Sequence, residues 1–169
     1  VAEVTKPDGT WLKEQVAAGT VRSVTVHTKL DTGWREIPVT VAEVRGTTNP
    51  DDFVLVHGHL DSWGEGIGDN TVGDATLLEL ARALQANKAN LARSVRIAWW
   101  SGHSHGRYAG STWYADAFGL DMIEHCVAQV NCDSPGCRWA TEYRDLSVNP
   151  ELAAFTKTVI RDLTGQEAE

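Results

Sequence analysis

Three short apolar runs, "DFVLVHGH" (52–59), "SVRIAWW" (94–100) and "CVAQVN" (126–131), constrain this chain more than any other feature. Apolar runs of this length that do not alternate belong to strands buried on both faces. Segments with helical spacing lie between and after them. "GDATLLELARALQANK" (73–88) puts Ala75, Leu77, Leu78, Ala81 and Leu84 on one side, with Asp74 near its start. "GSTWYADAFG" (110–119) reads as a second helix, and "NPELAAFTKTVIRDLTG" (149–165) as a last one that Gly165 stops. The order strand, helix, strand, helix, strand, helix predicts an α/β fold, a mainly parallel sheet with helices on its faces.

The first 46 residues follow another pattern. "DGTWLKEQVAAG" (8–19) predicts a short helix capped by Asp8 and stopped by Gly19. "SVTVHTKL" (23–30) alternates as a half-buried strand does, and "REIPVTVAEVRG" (35–46) follows the turn signal "DTG". Residues 1–46 are therefore expected to form a helix and an antiparallel strand pair that lead into the α/β part, residues 47–169.

Composition narrows the partners. A net charge of −8 disfavours nucleic acid and anionic membrane surfaces, and no apolar run approaches the roughly 18–20 residues of a membrane span. No targeting segment is visible, so a soluble chain is expected and its compartment stays open. Cys126, Cys132 and Cys137 form no CxxC pair and are expected as buried or half-buried thiols, with a Cys132–Cys137 bridge across a turn as the alternative. Most of the seven tryptophans are expected in the core.

The predicted topology offers a test for function, because ligands in such sheets bind beyond the carboxyl ends of the strands. After the first run come His59 and Asp61, then Asp69 in "SWGEGIGDN"; after the second come His103 and His105 in "SGHSHG"; after the third comes Asp133 in "NCDSPG". Each fragment alone is an ordinary turn or helix cap. Independent turn residues have no reason to recur at three successive strand ends. Imidazole and carboxylate together suit Zn²⁺, which takes nitrogen and oxygen ligands at about 2.0–2.2 Å. In His59-x-Asp61 the carboxylate can fix the ring tautomer that ligates, and Asp69 can bridge two ions. Nothing supports a serine or cysteine nucleophile: Ser104 has no acid nearby in sequence to complete a triad.

"VLVHGHLDSWGEGIGDNTVGDATLLELARAL", "RIAWWSGHSHGRYAGSTWYAD" and "AQVNCDSPG", in that order, resemble the zinc-dependent aminopeptidases related to aminopeptidase Y and glutamate carboxypeptidase, with transferrin receptor as a non-enzymatic relative. The resemblance spans roughly residues 40–136 and implies a mixed, mostly parallel sheet flanked by helices. It implies His59 as a zinc ligand, Asp61 as its orienting carboxylate, Asp69 as the bridging ligand and Asp133 as the remaining acid on the His59 ion. One departure lies in the histidine loop, where the family carries two adjacent glutamates, a general base and a second-zinc ligand. No acid occurs between Arg96 and Asp116. Counting forward from Trp100 puts His103 and Ser104 in their places; counting back from Gly110-Ser111 gives His105 the ligand role. A second departure is length: the family's final zinc-ligating histidine and the protease-associated domain that precedes this region in some members are not in the sequence. The chain is thus expected to be a piece of such a protein, or one completed by another polypeptide.

The function expected is metal-dependent hydrolysis of peptide or small amide substrates, aminopeptidase-like, with one or two zinc ions held by His59, Asp69, Asp133 and His105, and with His103 as base and Asp61 supporting. The alternative is an inactive peptidase-fold binding or scaffold domain that retains part of the metal site.

Overall fold

The computed structural model describes residues 3–141 and 146–168, and the chain divides into two compact units, Val1–Glu36 and Ile37–Glu169. In the first unit, α1 (Lys6–Ala17) starts three residues earlier than the Asp8 cap predicts. Thr5 is the N-cap, its Oγ1 accepting the Asp8 N–H at 3.3 Å, and Pro7 occupies the first turn, where a missing N–H costs nothing. Residues 20–36 carry no helix or strand. The hairpin expected from 23–30 and 35–46 does not form, since alternation marks a strand only where a partner covers one face.

The second unit contains β1 (Thr40–Val44), β2 (Asn49–His59), α2 (Val72–Ala86), β3 (Arg93–Trp100), α3 (Ala109–His125), β4 (Cys126–Asn131) and α4 (Ala153–Thr164). The sheet has the order β1-β3-β2-β4. β2 runs parallel to both neighbours, with His59 level with Trp100 and His57 level with Asn131, while β1 pairs antiparallel with β3. The mixed, mostly parallel sheet implied by the sequence is present. β1 finds its partner in β3, more than fifty residues on, rather than in its sequence neighbour.

Two clusters form the core, one on each face. Phe53, Leu55, Ala98 and Trp100 meet Tyr114 of α3; Val56 and Ile97 meet Leu77 of α2. Burying each such side chain contributes about 1.5–3 kcal/mol. Of the stripe expected on α2, Leu77 is buried and Ala81 and Leu84 pack against it, but Leu78 is exposed and Leu80 takes its place. Arg96 crosses the α3 face over the Phe53 ring and joins Glu43 of β1 to Asp121 of α3. α3 runs past the expected range 110–119, with a kink at Phe118, and ends at His125.

The tryptophan expectation fails: Trp100 is buried, but Trp11, Trp34, Trp63, Trp113 and Trp139 are exposed. All three cysteines are free; Cys126 and Cys132 are half-buried, Cys137 is exposed, and the Cys132–Cys137 bridge is not formed. Among the described residues no helix is long and apolar enough to cross a membrane.

Candidate metal centre

β2 ends at His59, whose ring is 3% exposed. Its Nδ1 donates to the backbone oxygen of Asp61 at 2.6 Å, which leaves the lone pair of the neutral ring on Nε2. Nε2 faces Asp69 Oδ1 at 2.7 Å and Asp133 Oδ1 at 3.3 Å. Burial disfavours a proton on this ring, but the Asp61 carbonyl and the Asp133 and Asp69 carboxylates outweigh it and raise its pKa. An imidazole lone pair between two carboxylates is the donor set of a divalent cation such as zinc.

The carboxylates arrive by separate routes. Asp69 leaves a glycine-rich loop in which Gly66 adopts φ +61° and accepts the Thr71 N–H at 2.9 Å; the Asp69–Asn70 peptide is cis. Asp133 comes two residues after the end of β4. Asn70 then ties the routes together. It is 1% exposed, its Nδ2 donates to the carbonyls of His59 and Cys132 at 3.0 Å each, and its Oδ1 accepts the Ser134 N–H at 3.0 Å. The side chain between two ligand-bearing loops is thus buried with three hydrogen bonds. Sequence reading saw only a turn residue there; the closest signal was the pair Gly58 and Gly73, which have no Cβ where Asn70 and the Cys132 carbonyl must fit.

The histidine loop brings in His103 and leaves out His105. One ligand atom each of His59, His103 and Asp133 lies within 4.8 Å of the others. The His103 ring stacks on His59 at 4.0 Å between centroids with an 11° interplanar angle. Ring lone pairs lie in the ring plane, and metal–nitrogen bonds are about 2.0–2.1 Å. An ion in the plane of one stacked ring is therefore out of reach of the other. His105 departs from the ligand role expected of it: its Nε2 lies 2.8 Å from the Ser62 carbonyl, and its ring packs on Trp63.

Asp61 also departs from expectation. Its carbonyl, not its carboxylate, orients His59, because β2 ends at His59 and the same-side relation of strand positions i and i+2 stops there. The carboxylate instead accepts the backbone N–H groups of His103 at 2.8 Å, Ser104 at 2.8 Å and His105 at 3.2 Å. Burial alone would raise the Asp61 pKa, and these three donors outweigh it and lower it.

The profile of Peptidase family M28 matches residues 40–167. The chain belongs to this family. M28 membership agrees with the donor set above, and it implies a metal. Among relatives of known name, an aminopeptidase of Pseudomonas aeruginosa is 40% identical over 102 residues, 57% of this chain and 18% of that protein. Aminopeptidase NAALADL1 of Mus musculus is 32% identical over 120 residues, 69% of this chain and 16% of its own length. The solved LapA aminopeptidase of Legionella pneumophila superposes with a TM-score of 0.60 at 22% identity, over 95% of this chain and 46% of that one. An M28 peptidase precursor of Shewanella amazonensis gives 0.53 at 23% identity, over 73% and 28%. This M28 chain thus spans less than half the length of each of these relatives.

Proposed function

We propose that this chain is the metal-binding part of a zinc-dependent hydrolase of peptide or small amide bonds, aminopeptidase-like as its named relatives are. The observation that carries the reading is the His59 Nε2 atom, held in a buried ring between Asp69 and Asp133. These three residues hold one zinc. When bound, zinc supplies Lewis-acid chemistry: it polarises a carbonyl and acidifies water.

His103 replaces the missing glutamate as proton acceptor. Its ring stacks on that of His59 at 4.0 Å, which supports a role beside the ligand rather than as a second ligand. Ser104 supports the role: its Oγ donates to the Asp61 carbonyl at 3.4 Å and lies 3.3 Å from His103 Nδ1. A proton on Nδ1 facing that hydroxyl leaves Nε2 free to take one from the attacking water and return it to the leaving amine. Asp61 fixes the backbone of the loop that carries this ring.

The test is zinc content and turnover of the purified protein on aminoacyl and dipeptide amides. His59→Ala loses zinc, whereas His103→Ala keeps it and loses turnover. Full zinc in His59→Ala would overturn the ligand set, and zinc loss in His103→Ala would make that ring a ligand instead of a base.

A further inference from the structure

The loop that carries His103 continues through two residues in an unusual backbone conformation. Arg107 and Tyr108 have φ of +52° and +68°, in the left-handed region that non-glycine residues seldom occupy. Such conformations persist where the surroundings impose them, and they cluster at ligand-binding segments. Here Tyr108 N–H donates to the His103 carbonyl at 3.2 Å, Ala109 N–H to Gly102 at 3.0 Å and Gly110 N–H to Ser101 at 3.0 Å. A Cβ on Gly106 would come 2.7 Å from the Gly102 carbonyl, so the loop closes on itself only with glycine there.

This fold-back sets a line of contacts from the buried ligand to the surface. The His59 ring stacks on His103, the Tyr108 ring meets His103 edge-on at 4.7 Å, and the Arg107 guanidinium lies 5.7 Å from the centre of the Tyr108 ring. Arg107 is exposed and has no carboxylate partner among the described residues. Arg45, Arg82, Arg93, Arg96 and Arg161 of the same unit each have one, and Arg138 lies over the Trp139 ring at 4.6 Å. The chain carries a net charge of −8, and the site itself is built on Asp61, Asp69 and Asp133. With zinc bound the charges of Asp69 and Asp133 are offset, and a substrate carboxylate beside them still needs a cation of its own to bind.

We propose that Arg107 receives a carboxylate of the peptide substrate, so that the site selects peptides with a carboxylate close to the scissile bond. This rests on the hydrolase reading above. A guanidinium presents paired N–H donors that match both oxygens of a carboxylate. The Tyr108 ring, 5.7 Å away, attracts the guanidinium without neutralising it. The carboxylate is either the C-terminus of a dipeptide or an acidic side chain.

The zinc-loaded protein is assayed on two matched pairs: Ala-Ala against Ala-Ala-amide, and Ala-Glu-amide against Ala-Gln-amide. The carboxylate member of one pair is expected to be favoured about tenfold to a hundredfold in kcat/KM, chiefly through KM, and that pair identifies the source. In Arg107→Met the ratio collapses toward one, and Arg107→Lys retains part of it. Zinc content and thermal midpoint equal to the wild type show that each variant is folded. Ratios near one in the wild type, or a preference that survives Arg107→Met, would overturn the proposal. Titration of the same four peptides by tryptophan fluorescence separates the two readings: absent turnover sinks the hydrolase, while the carboxylate preference in Kd still decides Arg107.

Discussion

The Asp61 carboxylate accepts the backbone N–H of His103 at 2.8 Å, so the residue two places after His59 fixes the loop that carries His103. It also accepts the Ser104 and His105 N–H groups, so one carboxylate holds three successive backbone donors. Asp61→Ala is expected to cost about 1–3 kcal/mol. Because the folded state lowers the Asp61 pKa, this contribution is fully present above the unfolded-state value of about 3.9 and is lost as pH falls through the folded one. Thermal midpoints of wild type and Asp61→Asn, both stripped of metal with a chelator, should differ most near neutrality and converge below about pH 4. A constant gap through the acid range would contradict this.

The Asp61 case shows how far the sequence carries. The three apolar runs announce β2, β3 and β4; burial on both faces leaves that mark on β2 and β3, whereas β4, expected to be buried likewise, is an edge strand of the described sheet with Val127 and Val130 exposed. The pairing of β1 with β3 leaves none, since the partner lies more than fifty residues further along the sequence. The convergence of His59, Asp69 and Asp133 is legible from strand-end placement alone. The choice between His103 and His105 depends on how the eight-residue loop 101–108 folds back, and the work of Asn70 depends on two backbone carbonyls and an amide N–H that sequence does not display.

Asn70 is expected to behave as a core residue despite its polarity. Asn70→Ala leaves the His59 and Cys132 carbonyls and the Ser134 N–H without this partner, at about 2–4 kcal/mol in all. Asn70→Asp should cost at least as much, because it aims a carboxylate oxygen at two carbonyls. Urea unfolding of both variants checks the order; an aspartate variant as stable as wild type would show that the hub bonds contribute little.

Gly73 inverts a general rule. Glycine within a helix costs about 0.5–1 kcal/mol relative to alanine, so Gly→Ala in α2 should ordinarily stabilise. At this position a Cβ runs into Asn70 Oδ1 and the Cys132 carbonyl. Gly73→Ala is therefore expected to destabilise by about 1–3 kcal/mol, the range of an overpacked site. At Gly119, also within a helix, a Cβ meets nothing within 4 Å, so Gly119→Ala serves as the control and should not destabilise. Equal effects at the two positions would remove the steric argument.

The two histidines of the loop separate under substitution. His105 is exposed, and its ring contacts are the Ser62 carbonyl and Trp63, outside the cluster of His59, His103 and Asp133. Its backbone N–H, the group that Asp61 binds, survives any side-chain change. His105→Ala is therefore expected to keep zinc affinity within about threefold of wild type, a change under about 1 kcal/mol. His59→Ala, which removes the ring between the two carboxylates, should lower it well beyond the 10- to 100-fold that losing even an outer support costs a metal site. Competition with a chromophoric chelator measures both. Zinc loss in His105→Ala comparable to that in His59→Ala would return the ligand role to His105 and require the loop to fold with its ring turned inward.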